Sequence, residues 1–147
     1  MRIERIVSPA AVHAAAELFD GPPLPGATET FLTSPGHHLL LAYEGDRPVG
    51  MITGVEMTHP DKGTEMFVYE LAVAPDARLK GIGTALVEAL AGIAREHGCY
   101  GMWVGTENDN AAAQRTYRKS GATEEEPFLL LNWDFHPAAG RSEGGQT

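Results

Sequence analysis

At 147 residues, 43% hydrophobic and 21% charged, the chain has the make-up of one globular domain with a sizeable core, and no apolar run is long enough to span a membrane. A formal charge of −9 argues against nucleic acid, which calls for a basic face; it suits a cationic substrate drawn to an acidic cleft, or simply keeps the protein in solution. The single cysteine, Cys99, excludes an internal disulfide and reads as a buried, inert thiol, and six scattered histidines without His-x-x-x-His spacing give no support to a metal site.

Met1 to Val7 lacks the apolar centre of a signal peptide, so a cytoplasmic location is expected. Arg2 to Val7 reads as a short edge strand, and Ser8-Pro9 as the start of a helix running to Phe19, with serine as cap and proline in the first turn. Gly21 to Gly26, with three prolines, breaks that helix into a loop that could border an acceptor site; a brief helix follows around Thr28 to Leu32. His38 to Tyr43 and Val49 to Met57 are strands joined by the turn chemistry of Glu44 to Pro48. A second turn at Thr58 to Gly63 leads to the strand Glu65 to Val73, completing an antiparallel meander.

A basic, glycine-punctuated turn then opens a long helix, Thr84 to His97, closed by Gly98. Ile82, Leu86, Leu90 and Ile93 form its apolar stripe and belong to the core. Cys99 to Thr106 is the next strand, parallel to the fourth because a crossover helix precedes it. Asn110 to Lys119 is the last helix, and one or two final strands follow, including Phe128 to Phe135. The domain is read as residues 1–135, with a frayed Gly- and Ser-rich tail at 136–147.

Two motifs carry chemistry. In Arg78-x-x-Gly81-x-Gly83 the glycines let the backbone approach a ligand, and the helix beyond begins with unpaired N–H groups and a positive dipole end. Such a helix start suits a diphosphate. The second is Asn110-x-x-Ala113-x-x-x-Tyr117-x-x-x-Gly121. Together they resemble the acyl-CoA signature of the GNAT superfamily of CoA-dependent N-acyltransferases, with Ala122 standing where the family often has an aromatic residue.

The resemblance implies an α+β fold: a mixed, mostly antiparallel sheet of six to seven strands with about four helices, splayed between the fourth and fifth strands to admit acetyl-CoA. It implies that main-chain groups of Leu71, Ala72 and Val73 hold the pantetheine arm, and that Arg78, Leu79, Lys80, Gly81, Ile82, Gly83 and Thr84 hold the diphosphate. Asn110 and Ala113 would lie near the arm, and Tyr117 near the sulfur as general acid; the alternative for Tyr117 is packing of its helix on the sheet. A phenol keeps its proton at neutral pH and is chemically suited to the acid role. A homodimer is also compatible with the family.

An attacking amine must first lose a proton, and Glu70 on the central strand is the candidate acceptor, its side chain expected opposite to those of Tyr69 and Leu71. The alternative is a strand carboxylate paired with a basic neighbour. Glu65 to Val73 is similar to the matching strand of the aminoglycoside 3-N-acetyltransferases, which typically carry aspartate where this chain has Glu70. Those enzymes also have an acid after the fifth strand, here Glu107, and an aromatic-Asp pair, here Trp133-Asp134. Glu70, Glu107, Asp109 and Asp134 are thus the substrate-binding candidates for a small polycationic amine, which the resemblance implies is an aminoglycoside acetylated at its 3-amino position, with Asp109 equally suited to cap its helix. A polyamine, an amino acid or a protein N-terminus is the alternative acceptor, and a non-catalytic acyl-CoA sensor the alternative class. A nucleotide phosphate loop is disfavoured because its Gly-Lys-Ser/Thr ending is missing.

Overall fold

The computed structural model describes residues 1–123 and 125–136, so the expected tail lies outside the described residues apart from His136. Strands β1 (Arg2–Arg5), β2 (His37–Glu44), β3 (Arg47–His59) and β4 (Gly63–Val73) form an antiparallel meander. β5 (Met102–Val104) joins β4 in parallel, which completes a five-stranded sheet in sequence order. Helices α1 (Pro9–Ala14) and α2 (Pro25–Thr33) precede β2, α3 (Ile82–Glu96) links β4 to β5, and α4 (Ala111–Lys119) follows.

Both faces of the sheet are covered, which explains why His38 to Ala42 is buried throughout instead of alternating. On one face Leu40, Ile52, Met66 and Val68 pack under Ile82, Leu86 and Leu90 of α3. On the other, Leu39, Leu41 and Met51 pack with Ile6, Val12 and Ala15. α3 sits close to the sheet because β3 has no side chain beneath it at two points. A Cβ on Gly50 would stand 2.9 Å from Ile82 Cγ2, and one on Gly54 2.8 Å from Leu90 Cδ2. The helix ends where expected: Gly98 has φ +78° and its N–H bonds Arg95 O.

Four expectations are corrected. The first helix stops at Ala14 and continues only as a 3-10 turn, Ala16–Leu18. Ser8 occupies its cap position, but no side-chain cap bond forms; its carbonyl receives the N–H groups of Ala11 and Val12. α2 begins at Pro25 and absorbs Gly26 from the expected loop, since proline suits a first helical position. The sheet has five strands, not six to seven, because no strand forms among the described residues after Ala122. There Leu129, Leu131, Trp133 and Phe135 are largely exposed, so this stretch has neither a ladder nor a buried face to fix it as a strand.

At the far end of α3 the fold gathers two histidines that are well separated in sequence. His38, 1% exposed, bonds Glu56 Oε2 through Nε2 (2.6 Å), and His97 Nδ1 reaches the same oxygen at 2.8 Å. Arg5 Nε donates to His38 Nδ1 at 3.0 Å, so that nitrogen is the acceptor and the ring's proton sits on Nε2. Burial and the Arg5 charge hold His38 below its ordinary pKa, against the pull of its bond to Glu56. Burial pushes the Glu56 carboxyl up, but the bonds from His38 and His97 outweigh it and leave Glu56 below its usual range. These three side chains offer ligand atoms within 4.8 Å of one another. The proton on Nε2, however, stands where a metal would need the lone pair.

Candidate active site

β4 is the element on which the site is built. Its parallel register with β5 covers only Met66, Val68 and the residue between, so β4 runs on past its β5 pairing toward Val73. Ala74 N donates to Val49 O of β3 at 2.8 Å. By strand alternation, the N–H and C=O groups of Leu71 and Val73 point the other way, to the edge that β5 leaves uncovered. Ala72 faces the opposite cluster and pairs with Met51.

Beyond β4 the chain makes a 3-10 turn, Pro75–Ala77, and enters the basic loop. Leu79 has φ +63° with its side chain fully exposed, and Gly81 has φ +80°. A leucine held in the left-handed region, with nothing packed on it, marks a loop whose course is set by its surroundings. Gly81 is the cap residue of α3 and has no side chain to offer, so the first-turn N–H groups of Ile82, Gly83 and Thr84 and the positive dipole end face outward. A Cβ on Gly81 would meet nothing within 4 Å, leaving room for a ligand. Arg78 Nε donates to Val73 O at 3.2 Å and ties the loop to the open strand edge. Lys80 Nζ lies 3.7 Å from Glu44 Oε1 in an exposed and therefore weak pair.

α4 is set against this end of the molecule: a Cβ on Gly83 would stand 3.2 Å from Thr116 Cγ2 and 3.8 Å from Val73 Cγ2. Asn110 caps α4, its Oδ1 accepting from Ala113 N at 3.1 Å, so the capping role considered for Asp109 falls to its neighbour. Tyr117, 7% exposed, packs in the α3-side cluster with Leu71, Val73 and Ala113. Burial raises its pKa, which keeps the phenol protonated.

Glu70 lies on the other face. β3 and β4 slip register between Thr53 and Gly54: Thr53 pairs with Glu70 and Gly54 with Val68, which leaves Tyr69 as the extra residue of a bulge. The bulge overturns one expectation. Tyr69 and Glu70, adjacent in sequence, line the same hollow instead of opposite faces. Thr53 Oγ1 donates to Glu70 Oε1 at 3.0 Å. Burial pushes the Glu70 carboxyl above its ordinary pKa, the Thr53 bond works against this, and the charge of Asp20 adds to the rise.

Two hollows adjoin at Glu70, Thr53 and Phe31. The first, about 190 Å³, lies between the sheet and the segment from Val12 to Phe31; the second, about 340 Å³, is bounded by Phe67, Tyr69, Val55 and His37. The expected loop at Gly21 to Gly26 does border the first, through Gly21 and Pro23. Glu107, Asp109 and Asp134 line neither hollow and are exposed, and Asp134 Oδ1 accepts from His136 N. Sequence reasoning did not single out Thr53, Phe31 or the apolar walls. One signal was available for Thr53, a lone hydroxyl in the apolar run Val49 to Gly54 that is 3% exposed in the fold.

The family description "Acetyltransferase (GNAT) family" matches residues 9–122. A mycothiol acetyltransferase of Corynebacterium jeikeium is 34% identical over 119 residues, 78% of this chain and 31% of that protein. A streptothricin acetyltransferase of Streptomyces lavendulae is 41% identical over 54 residues, 37% of this chain and 29% of its own length. The chain thus spans about a third of the length of the curated relatives it matches. Among solved structures, an aminoglycoside acetyltransferase from an uncultured soil metagenomic sample superposes with TM-score 0.77 at 23% identity, covering 90% of this chain and 98% of that one. A putative acetyltransferase from Agrobacterium tumefaciens gives TM-score 0.80 at 16% identity, with 90% and 100% covered. These structural likenesses show the shared fold.

Proposed function

The chain belongs to the GNAT acetyltransferase family, and we propose that it transfers acetyl from acetyl-CoA to a primary amine held at Glu70. The observation that carries this reading is the bulge that aims a partly buried carboxylate into a cleft, beside a strand edge whose N–H groups are uncovered.

The residues present fit the cofactor. Gly81 keeps a left-handed turn clear of side chain, the α3 N-terminus is uncapped, and β4 extends past its β5 pairing. Main-chain groups of Leu71 to Val73 would hold the pantetheine arm, and those from Arg78 to Thr84 the diphosphate, with Arg78, Lys80, Asn110 and Ala113 around them. When bound, acetyl-CoA supplies the activated acetyl group.

The protein's own groups divide the remaining work. Glu70 Oε2 is left to take the proton of an ammonium while Thr53 fixes Oε1. Val73 N–H points to the open edge and can stabilise negative charge developing on a carbonyl oxygen there. Tyr117 Oη retains the proton needed by a departing sulfur. Glu70 and Tyr117 lie on opposite faces of the sheet, one on each side of the end of β4. Holding amine and acyl donor together at that edge supplies rate by proximity.

An aminoglycoside acceptor draws support from fold neighbours, one of them solved in complex with sisomicin (TM-score 0.79, 20% identity). Where their names give an amino position it is 6', as for the 6'-N-acetyltransferase of Acinetobacter haemolyticus, so the expected 3-amino position draws no support from them. The test is thiol release from acetyl-CoA across a panel of amines, with Glu70→Gln and Tyr117→Phe alongside. Transfer to at least one primary amine, strongly reduced in Glu70→Gln, is the expected result. Acetyl-CoA binding with no transfer to any amine would favour a sensor instead.

A further inference from the structure

We propose that the acceptor is a monoamine with a compact apolar body, an aromatic ring or a branched aliphatic chain, seated in the first hollow with its ammonium against Glu70. This rests on the acetyl-transfer reading above and narrows it.

The walls of the first hollow are Val12, Phe19, Pro23, Ala27, Phe31 and Leu39. Among the described residues its only carboxylate is Glu70, and the hydroxyl of Thr53 is already donated to that group. One ammonium therefore finds one counter-charge in the lining; Asp20, whose charge adds to the rise of the Glu70 pKa, does not line the hollow. A second or third ammonium set against these apolar walls would find no carboxylate lining them, so a polycation gains from the hollow through only one of its charges. The volume agrees with the chemistry: about 190 Å³ is somewhat more than the ~150 Å³ of an apolar cavity that accepts benzene. The adjoining hollow adds Phe67, Tyr69 and His37 to Phe31. Phe31 meets His37 at 5.5 Å and Phe67 meets Tyr69 at 5.9 Å between ring centres, an aromatic surround against which an apolar body can pack. Glu107, Asp109 and Asp134, the acids that would hold further ammonium groups of a polycation, are not among the lining residues.

The experiment titrates the full chain with phenethylamine, ethylamine, spermidine and sisomicin, observing binding by ligand NMR, and follows acetyl transfer to each in parallel. Phenethylamine should bind at least about 10-fold more tightly than ethylamine, because a buried ring removes that much apolar surface from water. It should also exceed both polycations in kcat/KM. Ala27→Trp, at an exposed position of α2, narrows the hollow and should lower the phenethylamine-to-ethylamine ratio of kcat/KM by about 10-fold. The ranking in the unaltered protein tests the proposal whether or not that variant folds. Spermidine or sisomicin matching or outranking phenethylamine would overturn the monoamine proposal and leave the transferase reading standing. Phenethylamine binding without transfer to any amine would overturn the transferase reading and the acceptor role with it.

Discussion

Replacing Glu70 by glutamine isolates the proton-accepting role. The side chain keeps its shape, and an amide oxygen can still accept from Thr53 Oγ1, now at 3.0 Å from the carboxylate, so the bulge and hollow should survive. What is lost is the ability to take a proton from an ammonium. General-base contributions of about 10²- to 10⁴-fold correspond to about 3 to 5 kcal/mol of barrier, and kcat/KM should fall by that factor. Acetyl-CoA affinity should not change, because Glu70 lies off the strand edge proposed to hold it. The pH profile gives a second signature. Burial raises the Glu70 pKa above 4.5, so the acid limb of kcat/KM should sit above the usual carboxylate range and vanish in Glu70→Gln. Stability should move the other way. Between the unfolded and the raised folded pKa the native state binds more protons, so Glu70 costs stability as pH rises through that window. The variant should therefore be at least as stable as the parent at pH 7. Steady-state kinetics from pH 5 to 9 with calorimetric melting provide the assay; an undiminished kcat/KM with the acid limb intact would refute the assignment.

Tyr117→Phe should lower kcat by about 10-fold or more with KM for the amine little changed, since only the proton at Oη is removed; equal kcat in single-turnover measurements would assign Tyr117 to packing alone. Gly54→Ala forces a Cβ to within 2.8 Å of Leu90 Cδ2 and 3.0 Å of Met66 Sδ, and should cost about 1 to 3 kcal/mol in urea unfolding; an unchanged midpoint would mean that α3 does not sit this close to the sheet. His38 and Glu56 both have depressed folded pKa values, so their stability is present at neutral pH. It should fall as pH drops from about 6.5 through the His38 window and then through that of Glu56. Glu56→Gln should flatten the acid part of this loss, and a parent-like slope in the variant would contradict it.

The meander, α3 and its glycine cap were legible because each rests on local chemistry: apolar runs, a two-residue turn, a periodic stripe and a glycine at the helix end. The basic glycine loop was legible as a tight turn ahead of α3 for the same reason, because Gly81 and the apolar helix after it form a local pattern. The hollow beside Glu70 was not. Which way Tyr69 points depends on a bulge set by pairing with β3, and the walls of the hollow come from three segments far apart in sequence. The cluster of His38, Glu56 and His97 was hidden likewise, because His38 and Glu56 meet through the β2–β3 pairing and His97 joins them only when α3 docks on the sheet. The run from Phe128 to Phe135 misled in the opposite sense: strand-forming residues do not make a strand without a neighbour to pair with.

The most direct test of the proposed cofactor cleft is a titration of the isotopically labelled chain with acetyl-CoA, following backbone amide shifts. The largest changes should fall at Leu71 to Val73 and from Arg78 to Thr84, with smaller ones at Asn110 and Ala113. Changes confined to α1 and α2, with the β4 edge and the Gly81 loop unmoved, would contradict it.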